Sequence, residues 1–138
     1  MNVQTLIREM APRFRASSRV PDLGAGNDAE QIAFDADGAM IVFDGASDAT
    51  IYEDAAVNHA FRAWHDACHI ERRLGFTLAA EREVCELQIV QALQRYPNIP
   101  ARVLRLIRAE VTGQAEHFAV YGQFPIDQAA FIRRYIGE

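Results

Sequence analysis

Apolar positions at helical spacing dominate the chain after residue 50, and a short alternating stretch precedes them. Near the N-terminus, Leu6, Met10 and Phe14 fall on one side of a helix predicted over 3–15. Residues 16–28 collect Ser, Pro, Gly, Asn and Asp and read as a loop. The run Gln31–Phe43 alternates around Asp37-Gly38, with Ile32, Phe34, Ile41 and Phe43 as the apolar members. Asp-Gly favours the tight turn of a β-hairpin, so two short strands are expected there. Thr50-Ile51-Tyr52-Glu53 has the form of a capping box and predicts a helix running to about Leu74, stopped by Gly75. Thr77 can cap a second helix reaching about Tyr96; Pro97 and Pro100 separate it from a third over 101–121, which Gly122 ends. Pro125 precedes a last short helix with Ala129, Phe131, Ile132 and Tyr135. The predicted architecture is α+β and predominantly helical: three long helices, two short ones and a small β-hairpin, in a single domain over 1–138.

Composition narrows the setting. With 50% hydrophobic and 24% charged residues, the chain has the balance of a globular domain rather than a disordered one. Neither a membrane span nor the apolar block of a secretory signal is recognisable, so a cytoplasmic location is expected. Cys68 and Cys85 both fall in helical stretches and read as buried free thiols of a reducing compartment. The net charge of −5 argues against nucleic acid as a partner, because Lys and Arg supply most phosphate affinity. One basic strip, Arg102, Arg105 and Arg108, reads as a solvated helix face that can also meet an acidic protein partner.

Two stripes on the first long helix carry the chemistry. Val57, Phe61, Trp64 and Cys68 form an apolar core stripe. One residue further round lie Asn58, Arg62, His65 and His69, with Asp66 four residues after Arg62 and placed for an ion pair. His65 and His69 stand one turn apart on one face, a spacing that lets two imidazoles share a metal ion. On the third long helix Val103, Ile107, Glu110, Gln114, His117 and Tyr121 form a stripe that turns polar halfway, beside an apolar face of Leu104, Val111, Ala115 and Phe118. Gly113 costs roughly 1 kcal/mol against alanine in mid-helix, and a close helix approach would justify it. Glu81, Cys85 and Gln88 share a face of the second long helix. These stripes either converge on one pocket or form a buried polar network that fixes helix register.

Other chemistries lack support. There is no phosphate loop of the Gly-x-x-x-x-Gly-Lys type, and Gly24-Ala25-Gly26 does not sit between a strand and a helix. No serine nucleophile elbow occurs, nothing near Cys85 stabilises a thiolate, and Glu116-His117 is not the Glu-x-x-His pattern of a di-iron bundle. His65-Asp66 invites comparison with HD phosphohydrolases, whose additional histidine-rich helices are missing.

The segment from Phe61 to His69, with Gly75-Phe76, Glu81 and Glu110-Val111-Thr112-Gly113-Gln114, resembles a group of phage and prophage proteins that also occur as modules of larger mobile-element proteins. Their pattern is F-R-A-x-H-D, a nearby second His, G-F, a Glu, and E-x-x-G-Q. The match spans Phe61 to Gln114; it departs where many relatives place the second His one residue later and Gly where this chain has Ala80. The resemblance implies a phage-type origin and a site built from His65, Asp66, His69, Glu81, Glu110 and Gln114, without implying a reaction.

The leading reading is a small metal-dependent hydrolase-like protein. His65 and His69 would be metal ligands with Glu110 or Glu81 as the third, leaving a position open for water. The ion would be divalent, zinc or similar. Asp66 would act as base or would orient a ligand, Glu81 would otherwise be catalytic, and Arg62, Gln114 and His117 would bind substrate. The rival reading is a non-enzymatic phage protein that binds and inhibits a host component such as a defence factor. An open pocket favours the enzyme; a closed network with an exposed apolar patch favours the binder.

Overall fold

The computed structural model describes residues 1–19, 32–52 and 54–138. The Gly24-Ala25-Gly26 segment, most of the loop expected over 16–28, and Glu53 of the expected capping box lie outside the described residues. The fold is predominantly helical α+β, as the periodicity predicts.

Helix α1 (Val3–Met10) is capped by Asn2, whose side chain accepts from the Thr5 amide at 2.8 Å. It ends earlier than expected. Pro12 pushes Ala11 into extended backbone (φ −68°, ψ 134°), and Phe14, expected on the helix, instead opens strand β1 (Phe14–Ser17). The expected hairpin is present: β2 (Ala33–Phe34) pairs antiparallel with β3 (Met40–Phe43), Ala33 facing Ile41, with Gly38 at φ 81° in the turn. Strand β1 then adds parallel to β3, Phe14 opposite Met40, to give the order β1-β3-β2. Met40 and Val42 point into the core, while Ile41 and Phe43 face a cavity.

The long helices follow. Helix α2 (Ala55–Arg72) begins later than the Thr50 box predicts: Asp54 caps it, accepting from the Ala56 amide at 2.9 Å. It ends at Arg73, which takes the left-handed conformation (φ 53°) ahead of Gly75. Helix α3 (Leu78–Arg95) is capped by Thr77 as expected, Ala80 N–H donating to its hydroxyl at 3.1 Å. The third long helix is α4 (Ala101–Arg108), a π-helical turn (Ala109–Gly113) and α5 (Gln114–Tyr121), ended by Gly122 at φ 71°. Helix α6 (Gln128–Tyr135) is capped by Asp127. A Cβ at Gly113 would lie 2.9 Å from the Tyr135 ring, so the glycine permits the close approach of α6.

The core stripe of α2 is buried, with Trp64 1% exposed and Phe61 meeting it edge-on at 5.9 Å. Cys85 and Val111 join that cluster, Leu104 only borders it, and Phe118, expected in the core, is half-buried on the cavity wall. The strand cluster packs against it through Ala11 and Phe14, and the α6 cluster through Val3 and Ile51. No helix among the described residues is long and apolar enough to cross a membrane. The basic strip is largely engaged within the chain: Arg102 grips Glu138 at 2.6 and 2.8 Å and Arg108 pairs with Glu86.

Candidate metal centre and cavity

Helices α2 and α3 form an antiparallel hairpin whose closed end carries the site. His65 and His69 project one turn apart from α2, and Glu81 lies in the first turn of α3, where a carboxylate suits the positive end of the helix dipole. Glu81 reaches both rings: its carboxylate oxygens lie 3.0 Å from His65 Nε2 and 2.9 Å from His69 Nε2, and the two Nε2 atoms are 3.0 Å apart. The three side chains can hold a metal ion.

The opposite edge of each imidazole is fixed. His69 Nδ1 donates to the Leu74 carbonyl at 3.1 Å, which the left-handed turn at Arg73 brings back toward α2. His65 Nδ1 donates to Gln88 Oε1 at 2.8 Å. Such bonds set the tautomer that leaves Nε2 to a metal, as is usual for ligand histidines. Phe76 packs on the His69 ring at 4.3 Å and Phe61 stacks on His65 at 6.4 Å. Tetrahedral coordination at ~2.05 Å separates ligand atoms by ~3.3 Å, and adjacent octahedral positions lie ~3.0 Å apart. The observed spacings need shifts of only tenths of an ångström to accept either.

The electrostatics follow from burial and proximity. Burial opposes ionisation of Glu81, but the His65 charge and hydrogen bonds from both histidines outweigh it and bring the carboxyl down to about 2. Burial likewise opposes the imidazolium at His65, yet Glu81 lifts it to about 9. Without metal a proton therefore holds the cluster together. Burial raises Asp66 to about 6, moderated by His65 and His69, and raises Glu110 to about 7, moderated by Arg62.

A cavity of about 490 Å³ opens beside this cluster. His65, Asp66 and Glu81 form one part of its wall; Asn58, Arg62, Glu110 and Gln114 form another. Glu110 takes a hydrogen bond from Gln114 at 2.9 Å and faces the Tyr52 phenol, although no hydrogen bond of good geometry joins those two. Arg62 donates to the Phe43 carbonyl and, at 3.4 Å, to that of Ala46, tying β3 to α2.

The expected stripes thus converge, with two corrections. Glu81, not Glu110, stands with the two histidines; Glu110 belongs to the cavity wall. His117 is not part of the cavity: it bonds the Gln123 carbonyl at 2.9 Å and packs on Tyr121 and Phe131 in a separate shallow groove. A π turn holds one residue more than an α turn. It therefore rotates later positions off a 3.6-residue stripe, and Ala115 and Phe118 take the cavity face instead. Gln88 and Leu74 orient the rings, a role the sequence pattern does not assign them; a Gln seven residues after Glu81 on one helical face is the available signal for the first. Burial raises the Cys68 thiol to about 12 and raises Cys85, so neither is a ready nucleophile.

Comparison with known protein families, curated proteins and solved structures gives no match for this chain.

Proposed function

We propose that this chain is a small metal-dependent hydrolase, of the phage type its sequence resembles, with a divalent ion held by His65, His69 and Glu81. The observation that carries the reading is the convergence of both Nε2 atoms and the Glu81 carboxylate within 3.0 Å, while each Nδ1 is bonded to an acceptor behind it. Two histidines and one carboxylate leave coordination positions open, which a purely structural site does not need. Zinc, iron, manganese and nickel all suit this ligand set. When bound, the ion would supply Lewis acidity and activate water. Asp66 and Glu110 face the same cavity with values close to neutrality, suited to moving protons in either direction. His65, Asp66, Phe76, Glu81, Glu110 and Gln114, residues that carry the resemblance to phage and prophage proteins, all line one cavity.

The test is metal analysis of protein purified without an affinity tag, followed by calorimetric titration with divalent ions. One ion per chain is expected, lost in the His65→Ala, His69→Ala double variant and in Glu81→Ala, and retained in Glu110→Ala. No binding at micromolar concentrations near neutral pH would overturn the reading. The rival would then stand, an inhibitor of a host component, resting on the exposed apolar side chains Val120, Tyr121 and Ile126 at 74%, 67% and 87% exposure. The open cavity favours the enzyme.

A further inference from the structure

The cavity wall offers more hydrogen-bond acceptors than donors. Among the described residues three amide side chains line it, each more than nine-tenths buried: Asn58, Gln114 and Gln128, at 3%, 8% and 8% exposure. Each has turned its NH2 group toward the protein. Gln128 Nε2 donates to the Ala46 carbonyl at 3.0 Å, and Gln114 Nε2 to Glu110 Oε2 at 2.9 Å. Asn58 Nδ2 donates to Ser47 Oγ at 3.0 Å, and that hydroxyl spends its own hydrogen on the Gly45 carbonyl. These partners are acceptors, so the amide orientations are fixed by the network. The three amide oxygens accept no hydrogen bond from protein among the described residues, and the buried Glu110 Oε1 has the Tyr52 phenol before it without a hydrogen bond of good geometry. Asp66 adds a further carboxylate. Among the described residues Arg62 is the one arginine of the lining; its guanidinium donates to the Phe43 and Ala46 carbonyls, and its charge and that of His65 are set against the Asp66, Glu81 and Glu110 carboxylates of the same wall.

Clustered acceptors in a confined space disfavour anions, and a buried acceptor such as Glu110 Oε1 that lacks a well-aligned donor carries a cost. A ligand rich in N–H donors removes that cost. Phe61, Phe118 and Phe124 line the same space and give an apolar frame aromatic surface to rest on. We infer that the cavity binds a small organic cation carrying N–H donors, an amidinium, guanidinium or protonated amine on an apolar frame, with Glu110, Gln114, Asn58 and Gln128 as its acceptors. The substrate class rests on the cavity being the substrate site of the proposed hydrolase, but the binding preference does not depend on the metal.

Three probes of equal ring size decide it: benzamidinium, benzoate and phenyl phosphate, titrated calorimetrically into chelator-treated and into zinc-loaded protein. In the metal-free protein benzamidinium should bind at least ten-fold more tightly than either anion, and Glu110→Gln should weaken it about ten-fold. Equal or tighter binding of an anion to the metal-free protein, or no binding of benzamidinium at millimolar concentration, overturns the inference. The comparison within the unaltered chain stands even if Glu110→Gln folds poorly. Failure of the metal reading appears separately, as absence of zinc binding with the amidinium preference intact.

Discussion

Helix α2 presents two faces that obey different physics although they are one residue out of phase. Val57, Phe61, Trp64 and Cys68 are buried among apolar neighbours and gain from leaving water. Asn58, Arg62, His65 and His69 are also largely withdrawn from solvent, yet each is held by a named polar partner: Ser47, the Phe43 carbonyl, Glu81 with Gln88, and Glu81 with the Leu74 carbonyl. The first face secures the helix. The second gives up part of that gain to keep a set of polar atoms aimed at one place, which is expected of a site rather than of a core.

The comparison is broken most forcefully at Trp64. Its side chain is 1% exposed, packs edge-on against Phe61 and donates from Nε1 to Gln91 Oε1 at 2.8 Å. Trp64→Ala should cost roughly 3–5 kcal/mol in denaturant titration. A loss under about 1 kcal/mol would mean that this face does not carry the core.

The polar face should show itself through pH. The folded value of His65, about 9, lies above the ordinary 6.5, so its stabilisation is complete below 6.5 and lost as pH rises toward 9. For Glu81, about 2 against 4.5, the stabilisation is present above 4.5 and lost as pH falls toward 2. Asp66, raised from 3.8 to about 6, and Glu110, raised from 4.5 to about 7, penalise the fold once ionised. Metal-free protein should therefore be most stable near pH 4, where Glu81 is ionised and Asp66 and Glu110 are not, and should weaken toward pH 9, His65 alone contributing about 3 kcal/mol of the loss. Saturating divalent ion should reverse that slope, because protons then compete with the ion for His65. Thermal melts across this range, with and without metal, read both signs; a metal-free protein that gains stability from pH 5 to 9 would contradict the pairing of His65 with Glu81.

How far the sequence announces these features depends on whether they are set locally. The Asp37-Gly38 turn, the Thr77 cap and the Gly122 stop are each specified by one or two residues, and all three are found. Strand β1 escapes notice because its four residues acquire their identity by pairing with β3, a contact across 26 positions from Phe14 to Met40. Asp54 displaces the Thr50 box as the cap of α2 because both residues have the chemistry, and only the path of the chain decides between them. In the site, the His65–His69 pair is visible as an i, i+4 spacing. The choice of Glu81 over Glu110 is not, since it depends on how α3 docks. Gly113 invited the expectation of a close helix, and α6 supplies it. Alanine there gains up to about 1 kcal/mol of helix propensity but meets the Tyr135 ring. In a double-mutant cycle with Tyr135→Ala, Gly113→Ala should show a coupling of about 1 kcal/mol, more favourable once the ring is gone. Additivity would mean that the ring does not constrain the π turn.

The smallest expected effect is the most informative about that turn. An uninterrupted α-helix would place His117 seven residues, almost two whole turns, beyond Glu110 and on the same face. The π turn over Ala109–Gly113 adds a residue to that count, so the cavity face passes to Phe118 and His117 rotates outward against Phe131. His117→Ala should therefore leave divalent-ion affinity unchanged and cost less than about 1 kcal/mol, since the side chain is only half-buried and its bond to the Gln123 carbonyl can pass to water. Phe118→Ala, one residue on, removes a ring from the cavity wall and should weaken benzamidinium binding several-fold with metal affinity intact. Calorimetry on the two variants side by side separates the phases of the helix. If His117→Ala lowered metal affinity ten-fold while Phe118→Ala left both ligands alone, the helix would be running through Gly113 without the extra residue, and Glu110 would regain its claim to the metal.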